Sequence, residues 1–301
     1  MTIMNCKKLL FTMLAAPALC LATKLPFPRE CTLLDRISTI AASQSAMSQA
    51  ALGVLEQISL GRDVSIAGEL EAKAGARSGE FNKPGFKDVY VRAYALRKIG
   101  WIGTPDAMSF LAKLRRIDLG PDDSYRVWPA AQIALQEARL RRISDPLART
   151  EFLEKTILQP PQDASSRSKV KWWAITELCD NGVITSLPVI REAIESLYSS
   201  TGEKEVQFCE ARIEVIRRHP DRARALGSVL KLDSSPVDQR LMWWAIYQLA
   251  SLQSPEADAE LERYRAEIDK LPEGSPAKRQ AGIFRQTIRD LRAQSQANAI
   301  R

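Results

Sequence analysis

With 301 residues, the chain is long enough for one or two globular domains or for one solenoid. Hydrophobic residues make up 45% and charged residues 26% of the sequence, a balance that is average for a folded soluble protein and excludes an intrinsically disordered one. The formal net charge of +7 is ordinary for solubility and gives only weak support for nucleic acid or an anionic membrane as a partner.

Residues 1–22 have the pattern of a secretory signal peptide. A lysine pair, Lys7 and Lys8, precedes the mostly apolar residues 9–21, a segment too short to span a bilayer comfortably. Cys20 and Ala22 provide the small residues that cleavage after Ala22 requires. We therefore expect export to the periplasm or beyond, and no later stretch is apolar enough to span a membrane. Two alternatives remain: an uncleaved N-terminal anchor and a lipoprotein attached through Cys20.

Residues 23–60 carry apolar side chains at helical spacing and predict N-terminal capping helices. The apolar positions are Leu33, Leu34, Ile37, Ile40, Ala51, Leu52, Leu55 and Ile58. Residues 61–86 are instead polar and rich in small residues, among them Gly75, Gly79 and Pro84. This composition predicts a flexible linker and the clearest domain boundary in the chain.

The tetrapeptide Trp-Trp-Ala-Ile occurs twice, at residues 172–175 and 243–246. The copies lie about two units apart for a repeat of roughly 35 residues, a period typical of stacked helical repeats. An alanine marks the same position in five successive units, at Ala95, Ala134, Ala174, Ala211 and Ala245. Second helices begin with a hydroxyl residue beside proline, as at Ser254 and Pro255. Residues 87–270 therefore predict about five helix hairpins, and residues 271–301 predict a C-terminal capping helix and tail.

The first repeat runs from Tyr94 to Gly100 and continues through Ala107, Leu111 and Leu114. The third runs from Ala174 to Leu178 and continues through Gly182, Leu187, Pro188 and Ile190. This pattern resembles the HEAT repeat, and the resemblance covers residues 87–270. It implies an all-α fold in which hairpins stack into a right-handed α-α superhelix that acts as a scaffold or docking surface, and it carries over no catalytic residue. Tetratricopeptide repeats share the period, but their paired small and aromatic positions do not match this sequence.

The aromatic residues of the repeats predict where a partner docks. At 100° per residue, Trp172 and Trp243 share the apolar face of their helices and are predicted core residues. The next residue in each helix projects to the opposite, polar face, where it offers a flat ring with a polar rim to a partner. Burial between neighbouring repeats is the alternative for these outer rings. The predicted partner-binding residues are Tyr94, Trp101, Trp173, Trp244 and Tyr247.

The sequence predicts no catalytic, cofactor-binding or metal-binding residue. The single histidine, His219, precedes Pro220 in a turn and lacks a convergent set of partners. Cys31, Cys179 and Cys209 remain after signal removal and form no CxxC pair. We expect each to be buried as a small hydrophobic residue. A bridge between Cys179 and Cys209 is disfavoured because they fall at different heights of successive helices.

These observations favour a binding scaffold over an enzyme, with another protein or a cell-envelope polymer as its partner. Export argues against nucleic acid. Basic residues cluster near helix ends, where they meet unpaired carbonyl groups, and aligned clusters would face an anionic partner. Lys113, Arg115 and Arg116 form one cluster, and Arg139, Arg141 and Arg142 form another. The alternative functions are a glycan-processing enzyme of the cell envelope, which would need a carboxylate or hydroxyl in a deep pocket, and a structural subunit of an envelope assembly.

Overall fold

The computed structural model describes residues 27–43, 45–65, 68–114, 126–161, 164–198, 202–231, 236–252, 254–274 and 278. Within these ranges the chain forms fourteen α-helices and two short 3₁₀ helices, and it has no β-strand. The prediction of an all-α fold is therefore confirmed. Neither the predicted signal peptide nor most of the predicted C-terminal helix and tail falls within the described residues. None of the described helices is both long and apolar enough to cross a membrane.

The described residues divide into two compact units, one within Leu25–Ala174 and the other within Ile175–Arg301. The first contains α1 (Pro28–Ala42), α2 (Ser48–Ser59), α3 (Gly68–Ala74), a 3₁₀ helix (Glu80–Asn82), α4 (Pro84–Lys87), α5 (Val89–Ile102), α6 (Pro105–Leu114), α7 (Val127–Arg141) and α8 (Pro146–Leu158). The division falls inside α9 (Ala164–Asp180). The second contains a 3₁₀ helix (Ile184–Ser186), α10 (Leu187–Leu197), α11 (Gly202–Arg217), α12 (Arg222–Gly227), α13 (Pro236–Leu252) and α14 (Pro255–Asp269).

Helix α5 is central to the first unit, where it packs against α1, α2, α6 and α7. It begins at the cap residue Asp88, whose carboxylate accepts a hydrogen bond of 2.8 Å from the N–H of Tyr90. It ends at Gly103, whose φ of 63° lies in the left-handed region that favours glycine. A Cβ at Gly100 would lie 2.7 Å from the carbonyl oxygen of Ala134 in α7. The absence of a side chain at Gly100 therefore lets the backbones of α5 and α7 approach closely.

The described part of 61–86, where the sequence predicts a flexible linker, is folded within the first unit. It contains α3, a 3₁₀ helix and α4, and it buries Phe81 and Phe86, whose ring centroids are 5.2 Å apart. Asn82 binds the main chain of Val64 twice, because its Oδ1 accepts from the N–H (2.6 Å) and its Nδ2 donates to the carbonyl oxygen (3.0 Å). The two buried phenylalanine rings and the hydrogen bonds of Asn82 to the main chain thus hold in place a segment whose composition indicates a loop.

The second unit has a hydrophobic core to which α11, α12, α13 and α14 contribute. Its fully or nearly fully buried residues include Leu226, Ile246, Leu249, Leu261 and Tyr264. Helix α12 packs against α11, α13 and α14, and α13 packs against α14. The side chain of Ser254 accepts a hydrogen bond of 3.2 Å from the N–H of Ala257 and so caps α14, with Pro255 in the first turn. The helix start predicted from this serine and proline is confirmed.

Candidate binding surface

The paired tryptophans lie differently from the helical-wheel prediction. Trp173 is completely buried (0% exposed) and Trp244 is 9% exposed, so their assignment to an outer docking face is wrong. Trp172 and Trp243, which the wheel assigns to the core, are only half-buried. Trp243 packs against the edge of the core of the second unit without being enclosed by it.

The wheel fails because α9 is buried on nearly every side. Its buried residues are Ser166, Val170, Trp173, Ala174, Ile175, Thr176, Leu178 and Cys179, and together they cover the whole circumference of the helix. A helical wheel assumes one buried face and one solvated face. The small polar residues Ser166 and Thr176 are buried as well, so the polar side of α9 does not face solvent.

Trp244 belongs to a buried hydrogen-bond network in the second unit. Its indole N–H donates to Oδ1 of Asp180 (2.7 Å), an oxygen that also accepts from Nε of Arg212 (3.0 Å). Arg212 also donates to the carbonyl oxygen of Thr176 (3.3 Å), and Nε2 of Gln248 donates to Oδ2 of Asp180 (3.1 Å). Burial is the largest single influence on the pKa of Arg212 and acts to lower it, but attraction to Asp180, to Cys179 and to Cys209 and the hydrogen bond to Asp180 together raise that pKa above its ordinary value. Trp244 therefore contributes to the interior of the unit rather than to a docking surface.

The two predicted tyrosines are half-buried and make contacts within their own units. The hydroxyl of Tyr94 donates to Asp35 (2.8 Å), and Nζ of Lys98 lies 5.1 Å from the centroid of the Tyr94 ring. Tyr247 stacks on Trp243 with a centroid distance of 6.1 Å, and burial raises the pKa of Tyr247 to about 12. Part of each ring is therefore already covered by intramolecular contacts.

Trp101 is the predicted site residue that the structure leaves exposed. Its side chain is 51% exposed, and that of Tyr90 in the same helix is 42% exposed. The two residues are close to three helical turns apart, so they share one face of α5 and are separated by roughly 16 Å along its axis. The guanidinium group of Arg126 lies 4.4 Å from the centroid of the Tyr90 ring, a cation–π contact. Tyr90 is absent from the predicted site, although its position on the polar side of α5 is a signal by which it could be found.

Two arginines from the C-terminal end of α7 bind the end of α5 that carries Trp101. Arg141 donates to the carbonyl oxygen of Gly100, and Nη2 of Arg142 donates to that of Gly103 (2.6 Å). Carbonyl groups at a helix C-terminus lack partners within the helix and carry partial negative charge, so they attract cations. These two hydrogen bonds bring a guanidinium group to the main chain on either side of Trp101 in the sequence. The α5 surface consists of Tyr90, Trp101, Arg126, Arg141 and Arg142.

The remaining candidates for chemistry form no site in the described part of the chain. Among those residues, no group of three or more His, Cys, Asp or Glu side chains could hold a metal ion. His219 lies in the turn before α12, where its Nδ1 accepts a hydrogen bond of 3.0 Å from the N–H of Asp221. The histidine thus shapes the turn in which the sequence places it.

Comparisons of the chain with family models, with curated proteins and with solved structures found no match. The functional argument below therefore rests on the sequence and on the geometry of the α5 surface.

Proposed function

We propose that the protein is an exported, non-catalytic stack of HEAT-like helix hairpins that binds an acidic partner protein through the α5 surface. Stacking is supported by the spacing of side-chain contacts along the chain, and binding by the exposed aromatic and basic residues of α5. Export is supported by the sequence pattern of residues 1–22.

Three polar contacts between helices, one in the first unit and two in the second, join residues about one repeat apart. When hairpins stack, equivalent helices of successive hairpins lie side by side, so contacts are expected at the repeat length. The separations are 33 residues for Ser59 and Arg92, 32 for Asp180 and Arg212, and 35 for Glu205 and Arg240. These three separations support the HEAT-like arrangement that the sequence pattern predicts.

The observation that carries the binding proposal is the exposure of Trp101 at a helix end whose carbonyl groups two arginines bind. Tryptophan, tyrosine and arginine are the residue types most enriched at the energetic centres of protein interfaces, and all three types occur on the α5 surface. Arginine binds carboxylates with two parallel hydrogen bonds. A partner that places an apolar group on Trp101 and acidic side chains on Arg141 and Arg142 would match both features. We therefore favour an acidic protein over an envelope polymer.

A crosslinking pull-down from the envelope fraction, followed by titration of the purified partner, tests this proposal. The variants are Trp101→Ala and, as a matched control, Leu147→Ala in α8, whose side chain is also exposed (68%). We expect Trp101→Ala to weaken binding by about 2 kcal/mol, roughly 30-fold, and Leu147→Ala to leave it unchanged. Arg142→Gln should also weaken binding relative to the natural protein. Added salt should reduce the difference in affinity between Arg142→Gln and the natural protein.

The binding proposal fails if Trp101→Ala recovers the same partner with unchanged affinity. Equal losses from Trp101→Ala and Leu147→Ala would also contradict it, because they would indicate a general effect of removing exposed apolar side chains. Recovery of an anionic polymer instead of a protein would overturn the choice of partner. Both positions are exposed, so neither substitution is expected to change stability by more than about 0.5 kcal/mol.

Export is tested separately by the intact mass and N-terminal sequence of the protein recovered from the envelope. Cleavage after Ala22 predicts a chain that begins at Thr23. A full-length chain would indicate the uncleaved anchor, and a chain that begins at a lipid-modified Cys20 would indicate the lipoprotein. Either outcome would overturn the predicted cleavage site without affecting the binding proposal.

A further inference from the structure

Two buried cysteines lie side by side in the second unit. Cys179 in α9 and Cys209 in α11 both have no exposed surface. Cys179 directly precedes Asp180, and Cys209 is about one helical turn before Arg212 in the chain. Arg212 donates to Asp180 from both Nε and Nη2, and this buried ion pair sets the register of the two helices at the height of the cysteines.

The two buried thiols interact with each other as well as with the Asp180–Arg212 ion pair beside them. Cys179 donates to the sulfur of Cys209, and this bond is the largest influence on Cys209, whose pKa it lowers. Burial is the largest influence on Cys179 and raises its pKa well above the ordinary value. The burial expected for both residues is confirmed. The sequence predicts that the two cysteines sit at different heights, but the Asp180–Arg212 ion pair joins their helices close to both residues.

We propose that Cys179 and Cys209 form a disulfide that links α9 to α11 when the chain folds in the presence of a disulfide donor. Cys31, which is buried in α1 of the first unit, remains a thiol. The link is independent of partner binding and of the α5 surface. It matches the compartment proposed for the protein, since disulfides persist in oxidising environments.

The donor is a small-molecule disulfide such as oxidised glutathione, and the reaction is two successive thiol–disulfide exchanges. The thiolate of Cys209 attacks one sulfur of the donor, forms a mixed disulfide and releases the first glutathione thiolate. The thiolate of Cys179 then attacks Sγ of Cys209, forms the protein disulfide and releases the second glutathione. Two electrons pass from the protein dithiol to the donor, and the two thiol protons leave with the glutathione thiolates. The second attack is intramolecular and is favoured by the proximity of the two sulfurs. Both exchanges precede complete burial of the pair.

The test is refolding of the full chain from denaturant in a buffer of oxidised and reduced glutathione. Remaining thiols are then alkylated under denaturing conditions, and the tryptic peptides are mapped by mass spectrometry without reduction. We expect peptide 172–191, which contains Cys179, to be linked to peptide 205–212, which contains Cys209. Peptides that contain Cys31 should be alkylated. Because the oxidant is added, the outcome does not depend on export.

Stability and substitution provide the second readout. A disulfide that closes a loop of this size favours the folded state by roughly two orders of magnitude in the unfolding equilibrium. Oxidised protein should therefore resist urea more than protein treated with dithiothreitol, and Cys209→Ser should abolish the difference. The control Cys31→Ser should retain both the linked peptides and the difference. Alkylation of both Cys179 and Cys209 after refolding would overturn the proposal. So would linkage of either to Cys6, Cys20 or Cys31 as often as to each other.

Discussion

Replacing Asp180 by asparagine tests whether a single carboxylate holds three helices of the second unit together. The Asp180 side chain is 15% exposed and that of Arg212 is 4% exposed. Removing one partner of a buried ion pair costs about 3–5 kcal/mol, because the remaining charge is left uncompensated. Partial exposure of Asp180 allows some compensation by water, and asparagine keeps the volume and one acceptor oxygen. We therefore expect a loss of about 3 kcal/mol in the free energy of unfolding.

The asparagine side chain also places a hydrogen-bond donor opposite another donor. Both carboxylate oxygens of Asp180 accept hydrogen bonds, from Arg212 and Trp244 at Oδ1 and from Gln248 at Oδ2. Asparagine has only one acceptor, so its NH₂ group must face one of these donors whichever way it turns. Gln248 cannot rotate its amide freely to compensate, because its Oε1 accepts a hydrogen bond from Arg222 (3.0 Å).

Urea denaturation followed by circular dichroism measures this loss. The control is Glu214→Gln in α11, because Glu214 and Arg218 are 3.8 Å apart and more than half exposed, and exposed pairs contribute about 0–1 kcal/mol. A double-mutant cycle with Arg212→Met completes the test, and the double variant should lose at least about 1 kcal/mol less than the sum of the single variants. A loss below about 1 kcal/mol for Asp180→Asn would refute this account. So would additivity of the two substitutions.

Three further substitutions in the first unit are tested by the same denaturation assay. A hydrogen bond from Arg29 is the largest of several interactions that lower the pKa of Glu80 from 4.5 to about 2. The stabilisation that the charged carboxylate provides is therefore complete above about pH 5 and disappears as the pH falls towards 2. Glu80→Gln should cost about 1–2 kcal/mol at pH 7, since solvent around Arg29 screens the attraction, and should cost progressively less below pH 4.5. An equal cost at pH 3 and pH 7 would contradict the assignment. Gly100→Ala should destabilise by about 1–3 kcal/mol, because the added Cβ meets the main chain of Ala134 at 2.7 Å. In Gly53→Ala, in α2, the added Cβ has nothing within 4 Å, so this substitution should stabilise the protein by up to about 1 kcal/mol. Equal effects of the two substitutions would show that contact with Ala134 does not cause the loss at Gly100.

Local features of the fold were predictable from the sequence because they depend on neighbouring residues. Apolar spacing predicts the helices, and a serine followed by proline predicts the start of α14 at Ser254. The clusters of basic residues predict contacts with unpaired carbonyl groups, and Arg141 and Arg142 make such contacts at Gly100 and Gly103. The sequence does not indicate, however, that these carbonyl groups belong to a different helix of the first unit.

Part of the candidate site was also predictable from the sequence. The other predicted site residues could not be placed correctly, because their burial depends on how the helices pack. Trp101 is exposed, as a residue on the polar side of its helix should be, because α5 keeps one solvated face. Trp173 occupies a comparable position on its own helical wheel and is fully buried, because α9 keeps almost none. A wheel describes the helix alone and contains no information about how many neighbours enclose it.

The sequence by itself determined that this protein is helical, and it predicts helix pairs related by a period of roughly 35 residues. These properties follow from side-chain spacing and from caps, which are local in the chain. The tertiary structure decided which residues of different helices meet: Asp180 with Arg212, Cys179 with Cys209, and Gly100 with Ala134. Such contacts depend on the register between packed helices, which is set by many side chains together, and no single stretch of sequence contains it.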